Sequence, residues 1–223
     1  MTTLSIARDE RVHLAGLLGR LLRWNDATIV RLITTERAVG VYADAPMGVL
    51  VFVALPLAQA PAEPLDRAVS AHRLRDALGD VASPLTAAGP LAVGIPDARD
   101  MPPALAAIPS RDGWIAAERA TAAEVAAAVD AALAEFHRQG EAIAGATEAA
   151  KANLAAEWWS KPAWGGLPLK ALHAAHSLGM LAHPGARIES ATRAGWKRMQ
   201  SPAGQVFVAP PESYSGIALS VVR

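Results

Sequence analysis

The sequence of 223 residues contains no cysteine. This absence excludes a disulfide framework, a thiolate nucleophile and a zinc–thiolate site. It is consistent with a reducing compartment, so we expect a cytoplasmic protein. An excess of charge of one sign is also missing, because 21 basic side chains balance 21 acidic ones. A surface that is basic all round, as in many nucleic-acid-binding proteins, is therefore excluded.

Long hydrophobic runs are missing as well. The longest uncharged stretch, residues 45–62, is interrupted by Pro46, Pro56 and Pro61, and its apolar centre is limited to residues 49–57. Such a stretch predicts a buried strand followed by a loop, not a membrane span. The first residues mix acidic with basic side chains and lack the layout of a secretory signal, so we expect neither export by that route nor a membrane location.

What is present is an alanine-rich chain, 52% hydrophobic and 19% charged, which is typical of soluble globular proteins. Leucines recur at helical spacing over residues 8–23 and predict an amphipathic helix. Short runs rich in valine and isoleucine follow, separated by turn residues, and they predict an antiparallel meander with strands over 28–34, 38–43 and 48–54. A further strand is expected over 65–69, before a helix that begins after Ser70.

The second half shows the same alternation of patterns. Thr121 and Glu124 have the spacing of a capping box, and they predict the start of a helix that ends near Gly140. Two more helices are expected over 147–159 and 167–181. The predicted strands at the end of the chain cover 187–194, 196–200, 205–209 and 217–222. The intervening residues 80–112 are rich in proline and predict a connector with one strand near 91–95.

Both halves place Pro-x-Gly between two strands, at Pro46 to Gly48 and at Pro202 to Gly204. We interpret this as a degenerate internal duplication. The predicted fold class is therefore α+β, with two related halves that each combine a helix and an antiparallel meander, and with additional helices between them. We expect the halves to be residues 1–110 and 111–223, packed as one compact body or as two apposed domains.

Several segments together resemble a group of uncharacterised actinobacterial proteins. They are Asp-Ala-Thr-Ile-Val-Arg-Leu from Asp26, Ala-Pro-Met-Gly-Val-Leu-Val from Ala45, Ile-Pro-Ser-Arg-Asp-Gly-Trp from Ile108, and the closing Gly-Trp-Lys-Arg and Ser-Pro-Ala-Gly-Gln-Val-Phe-Val. Because this group has no assigned activity, the resemblance implies no site residues.

One candidate contact region contains half of the six tryptophans within seven residues, together with nearby lysines: Trp158, Trp159, Trp164, Lys161 and Lys170. Tryptophans on a loop can stack on an aromatic ligand or anchor a protein partner. The alternative is that these tryptophans seal the junction between the two halves. Gly165 and Gly166 precede a helix whose N-terminus could attract an anion, although a plain turn into the helix is the preferred interpretation.

His173, His176 and His183 form the other candidate site. Residues three apart share a helix face, so His173 and His176 could meet one metal ion, with His183 as a third ligand. No carboxylate lies between Glu157 and Glu189 to complete such a site. The structural alternative is that one imidazole packs in the core while another caps the helix end.

The chain is also more basic at its end, since residues 147–223 carry eight basic and four acidic side chains. The predicted helix–helix–hairpin over 147–209 resembles a winged helix, a DNA-binding arrangement. The second of these helices has only Lys170 and two histidines to read a groove, too few for phosphates and base edges together. Nucleic acid is therefore an unfavoured partner.

These patterns leave the function open, with three hypotheses in order of preference. The first is a non-catalytic binding or protein-interaction protein that forms a homodimer. The second is a small-molecule enzyme, or a metal- or ligand-binding protein, that uses His173 and His176 in a cleft between the halves. The third is a DNA-binding protein that uses its C-terminal region. No organic cofactor is expected, because neither a dinucleotide nor a P-loop motif occurs.

Overall fold

The computed structural model of the chain describes residues 2–79, 90–142 and 145–210. In these ranges the helices are α1 (Arg8–Trp24), α2 (Ala71–Ala77), α3 (Pro103–Ala106), α4 (Ala122–Ala142), α5 (Glu148–Ser160) and α6 (Leu169–Ser177). The strands are β1 (Thr3–Ile6), β2 (Ile29–Thr34), β3 (Ala38–Ala45), β4 (Val49–Pro56), β5 (Asp66–Ser70), β6 (Leu91–Gly94), β7 (Ile115–Thr121), β8 (Arg187–Arg193), β9 (Trp196–Ser201) and β10 (Gly204–Val208). The α+β class predicted from the sequence is confirmed.

Most strands join one antiparallel sheet with the order β5-β2-β3-β4-β10-β9-β8-β7. Each half of the chain contributes four strands, and the halves meet where β4 pairs with β10. A separate two-stranded sheet pairs β1 with β6. The main-chain hydrogen bonds of the large sheet therefore run without interruption from one half into the other.

The two meanders, β2-β3-β4 and β8-β9-β10, are related by an approximate two-fold axis. The strand order is symmetric about the β4–β10 pair, because β2-β3-β4 lies on one side and β10-β9-β8 lies on the other. Phe52 and Phe207 lie on the same sheet face, since each pairs across this junction with a neighbour of the other, Gln205 and Leu50. The duplication inferred from the sequence is thus visible in the strand order.

The Pro-x-Gly turns used to infer the duplication are not equivalent residue by residue. Three residues separate the paired Ala45 and Val49, whereas two separate the paired Ser201 and Gly204. Gly48 consequently lies inside its turn, with φ of 68°, whereas Gly204 begins a strand. Aligning the two Pro-x-Gly motifs therefore places the strands that follow them one residue out of register with each other.

Apolar side chains cover both faces of the large sheet. On the inner face, valines of the strands pack against leucines of α1 and α6, such as Leu17 and Leu172, and against α2 and α4. On the outer face, Tyr42, Leu50 and Phe207 pack against Leu105 of α3. The segment between β6 and β7 crosses this outer face, and Arg31 of β2 holds it by donating a 2.7 Å hydrogen bond to the carbonyl oxygen of Leu105.

Local sequence signals explain most element boundaries. The capping box is confirmed, because Thr121 N–H donates to the Glu124 carboxylate at 2.8 Å and Glu124 N–H donates to the Thr121 hydroxyl at 3.3 Å. One predicted boundary is wrong, since α6 ends at Ser177 and not at Leu181. Gly179 adopts φ of 78°, a left-handed conformation that stops a helix.

Two further expectations concern the last predicted strand and a membrane-spanning segment. The strand predicted over 217–222 lies outside the described residues. Within the described part of the chain, no helix is long and apolar enough to cross a bilayer.

Candidate functional site

The predicted tryptophan region forms a packed junction between α4, α5 and α6. Trp158 and Trp159 lie with their ring centroids 5.8 and 5.7 Å from that of Phe136 on α4. Trp158 is only 6% exposed, and the Lys161 ammonium group sits 3.9 Å from the centre of its ring. All these residues belong to the second half. The ring contacts of Trp158 and Trp159 therefore lie within the second half, and the interpretation that the tryptophans seal the junction between the halves stays a prediction.

Trp164 lies in a short 3₁₀ turn, Trp164–Gly166, and packs against the main core. Glu118 of β7 holds this turn by accepting a 3.0 Å hydrogen bond from Gly165 N–H. A Cβ at position 165 would lie 2.4 Å from the Ser190 hydroxyl oxygen, so only glycine fits there. This close approach to β8 explains Gly165, whereas Gly166 is explained by its left-handed backbone, with φ of 69°.

His173 and His176 lie on α6, and the Nδ1 atom of each is buried without a hydrogen-bond partner in the described residues. His173 stacks near Trp159, with ring centroids 5.0 Å apart, and its Nε2 atom is 3.5 Å from the Ser177 hydroxyl. Burial, and secondarily the charge of His176, lowers the pKa of His173. The environment thus favours a neutral imidazole.

His183 lies apart from this pair, in a groove beside α1 that Arg20 and His13 also line. Among the described residues, no group of three or more histidine and carboxylate side chains could hold a metal ion. The three-histidine metal site stays a prediction without support from this geometry.

The region predicted as a winged helix is built differently. Strand β8 pairs with β7 and β9, and β9 pairs with β8 and β10. The hairpin is consequently an interior part of the large sheet. It does not project as a wing beside the helices.

Lys170, one of the predicted contact residues, lines an open cleft of about 560 Å³ that we term the lysine cleft. It lies beside the β3–β4 turn, where Lys170 Nζ donates a 2.7 Å hydrogen bond to the carbonyl oxygen of Met47. Lys197 of β9 lines the same cleft and donates a 2.6 Å hydrogen bond to the carbonyl oxygen of Gly166. Burial lowers the pKa of Lys170.

Met47 is the residue of this cleft that the sequence patterns missed. It adopts φ of 65°, in the left-handed region that a side chain other than asparagine or aspartate rarely enters, and it is 41% exposed. A strained, exposed methionine beside two lysines points to a contact surface. The Pro-x-Gly motif marked its turn, but a turn motif does not reveal which side chain faces solvent.

Strand β7 forms one edge of the large sheet and is unusually exposed. Six of its seven residues are exposed and the seventh is half-buried, and Ile115 is 72% exposed. Its register against β8 shifts between Ala116 and Glu118, which marks a bulge. The outer edge offers main-chain hydrogen-bonding groups to a further strand.

Comparisons with known protein families match the two halves of the chain separately. Residues 1–95 match a family described as Domain of unknown function (DUF8010), and residues 109–213 match one described as Domain of unknown function (DUF8185). Both halves are similar to domains of unknown function. No curated protein matches the sequence. The expected resemblance to uncharacterised proteins is confirmed, and the actinobacterial origin stays a prediction.

Solved structures with a similar fold include DNA polymerase sliding clamps. One from Pseudomonas aeruginosa has a TM-score of 0.56 at 9% identity, with 94% of this chain and 64% of that chain covered. Another from P. aeruginosa, bound to griselimycin, has a TM-score of 0.54 at 10% identity, with 93% and 64% covered. The C. crescentus beta sliding clamp with bound PEG has a TM-score of 0.53 at 13% identity, again with 93% and 64% covered.

The chain therefore spans about 64% of the length of each of these clamps. At such low identity the similarity establishes the fold alone. It supports two related halves joined through one sheet, and it assigns no activity to either.

Proposed function

We propose that this protein is a non-catalytic interaction protein that binds a segment of a partner protein in the lysine cleft. The observation that carries the proposal is the exposed Met47, whose left-handed backbone is held by the Lys170 ammonium group. The similarity to sliding clamps is consistent with a role in protein contacts. A cytoplasmic location is part of the proposal.

The chemistry of the lysine cleft defines the segment that fits it. Lys170 and Lys197 contribute two positive charges, and no aspartate or glutamate is found among its described lining residues. Each ammonium group has three donors, and one of them is already used by a main-chain carbonyl. The remaining donors favour an acidic segment, while Met47 and Val208 favour an apolar side chain next to it.

Photo-crosslinking in the native host tests this proposal. A photoreactive residue is placed at Met47 and, as a matched control, at Met101, which is 36% exposed and lies on the segment that crosses the outer sheet face. We expect a defined crosslinked protein from position 47 only, and its loss when Lys170→Glu and Lys197→Glu are combined. Identical products from both positions, no product from position 47, or a product insensitive to the lysine changes would contradict the proposal.

The proposal includes a homodimer formed through β7. An exposed edge strand can pair with the same strand of a second copy, because antiparallel pairing of identical strands closes under a two-fold axis. The exposed Ile115 side chain then becomes covered. The bulge at Ala116 and the charges of Glu118 and Arg119 limit the pairing to one dimer and oppose an extended aggregate.

The catalytic alternative has one favourable observation, the lowered pKa of His173. Against it, neither His173 nor His176 lines the lysine cleft or the groove that contains His183. Stacking on Trp159 and burial account for the state of His173 without a substrate. The interaction hypothesis is therefore preferred.

A further inference from the structure

A second cleft lies on the outer face of the large sheet, where residues 109–114 cross it. Its volume is about 290 Å³, close to the lower end of the range for small-molecule pockets, about 300 Å³. We term it the aromatic cleft, because four of its lining residues are aromatic: Tyr42, Phe52, Trp114 and Phe207. It straddles the β4–β10 pair and is distinct from the lysine cleft.

The aromatic rings are held in place by the fold. Tyr42 and Phe52 lie on neighbouring strands with ring centroids 4.5 Å apart, and Trp114 lies 5.6 Å from Phe207. Trp114 is fixed from the other side, because its indole N–H donates a 3.0 Å hydrogen bond to the carbonyl oxygen of Ser110. The walls are therefore pre-organised for a flat apolar ligand.

Gly40 on β3 makes room for one of these rings. A Cβ at this position would lie 2.8 Å from a carbon of the Phe52 ring. A larger residue would push Phe52 out of its position.

The cleft also carries positive charge on its walls. Arg111 and Arg198 line it, and its described lining includes no aspartate or glutamate. The Arg198 guanidinium stacks 4.7 Å from the centre of the Trp114 ring, so its plane is held against the aromatic wall. These two arginines, and not the aromatic rings alone, decide which ligands fit.

Arg198 has unused hydrogen-bonding capacity. Its Nε atom is buried and has no hydrogen-bond partner in the described residues. Glu189 forms an ion pair with Arg198, but its Oε1 atom lies 3.6 Å from Nη2, too far for a hydrogen bond, and its Oε2 atom accepts a 2.9 Å hydrogen bond from Arg119. A buried donor without a partner is costly, and an anionic oxygen from a ligand would satisfy it.

We infer that the aromatic cleft binds a small aromatic anion, with its ring between the aromatic walls and its carboxylate or sulfonate group on Arg198 and Arg111. This site is independent of the proposed partner site, since no lining residue is shared with the lysine cleft. Failure of the anion site in the aromatic cleft would therefore leave the proposed partner site in the lysine cleft unaffected, and the reverse also holds.

Fluorescence titration of the intact protein with 8-anilino-1-naphthalenesulfonate tests the inference. The neutral N-phenyl-1-naphthylamine, which lacks the sulfonate, serves as the matched ligand. We expect saturable binding of one sulfonate dye per chain, and Arg198→Gln should weaken it about tenfold, as loss of a charge-assisted hydrogen bond predicts. Binding of the neutral dye should change less than about twofold, because its contacts are apolar.

Two further variants keep the test decisive. Arg111→Gln, on an exposed loop position, should weaken the sulfonate dye without affecting folding. If Arg198→Gln does not melt cooperatively, Arg111→Gln takes its place as the test. Arg99→Gln, an exposed arginine outside the cleft, should leave binding unchanged. Equal loss of both dyes, equal effects of Arg99→Gln and Arg111→Gln, or no saturable binding would overturn the inference.

Discussion

At the scale of single residues, the two most unusual side chains are basic residues on helices whose side chains bury nitrogen atoms. Arg11 of α1 is 1% exposed, and neither its Nε nor its Nη1 atom has a hydrogen-bond partner in the described residues. His173 of α6 has a buried Nδ1 atom without a partner. At both positions a buried nitrogen without a hydrogen-bond partner lowers the stability of the folded protein, and each case gives a measurable consequence.

Replacement of Arg11 by methionine should stabilise the protein. Methionine fills similar space without burying unpaired donors, and an unsatisfied buried donor costs about 1–3 kcal/mol. We expect the free energy of unfolding in urea to rise by about 1 kcal/mol. Arg23→Met, at an exposed position of the same helix, should change it little. A destabilised Arg11→Met variant would mean that the guanidinium has a partner.

Stability should fall in mild acid because of His173. Its pKa in the folded protein is lowered by burial, so the unfolded chain binds a proton more readily than the folded one. The contribution of neutral His173 to the free energy of unfolding is fully present above the ordinary histidine pKa of about 6.5. It is lost as the pH falls from that value to the lowered pKa of the folded protein.

The measurement for His173 is the free energy of unfolding between pH 7.5 and pH 5. His173→Phe keeps the ring against Trp159 and should flatten the pH dependence. His137→Phe, at an exposed position of α4, should leave the slope as in the wild type. If His173→Phe kept the wild-type slope, another group would be responsible.

At the scale of elements, β7 differs most from its surroundings. It completes the sheet beside β8, yet no other strand of the described residues pairs with its outer side and Ile115 is exposed. Short charged edge strands usually protect a sheet from unwanted pairing. An exposed isoleucine at the start of such a strand instead favours a specific contact with another chain.

Blocking the edge of β7 should convert a dimer into a monomer. We expect Ile115→Lys to lower the mass measured by light scattering from two chains to one at micromolar concentration, because it places a charge where the second copy would lie. Val12→Lys, at another exposed apolar position, should leave the mass unchanged. A monomeric wild-type protein would remove the self-association part of the proposal.

Sequence patterns found most elements, but they missed β1 and α3 and misjudged one end and one turn. Leucine spacing located α1, and the Thr121–Glu124 box located the start of α4. The end of α6 was misjudged because apolar residues continue to Leu181, while Gly179 adopts the left-handed conformation that ends the helix. Local periodicity cannot indicate which glycine takes that conformation.

At the scale of the whole molecule, the β4–β10 pair decides how the halves relate. Main-chain hydrogen bonds and the inner-face core both cross this pair, so separating the halves would expose the apolar edge of β4. We therefore propose that the halves predicted as 1–110 and 111–223 unfold together. The alternative of two merely apposed domains would leave each with its own transition.

Calorimetry of the intact chain should show one unfolding transition. Leu17→Ala in α1 and Leu172→Ala in α6 remove equally buried side chains from opposite halves. Each should lower that same transition, with a cost of about 2–5 kcal/mol. A variant that splits the curve into two transitions would show that the halves are independent domains.

The candidate sites show the same limit of sequence reasoning. The tryptophans and Lys170 were chosen because they lie close in the chain, yet Trp158 is a core residue whereas Lys170 lines an open cleft. Its neighbours there, Met47 and Lys197, come from other parts of the chain. The aromatic cleft was missed altogether, since its residues lie on β3, β4, β9, β10 and a loop.

By itself the sequence determined the α+β class, the positions of most helices and strands, and the duplication. Those properties depend on hydrophobic periods, caps and turn residues that are only a few positions apart. Only the tertiary structure decided the sheet order, the pairing of β4 with β10 and the residues that share a cleft. These features arise from contacts between distant parts of the chain, whose geometry depends on strand register and on how side chains pack across the sheet.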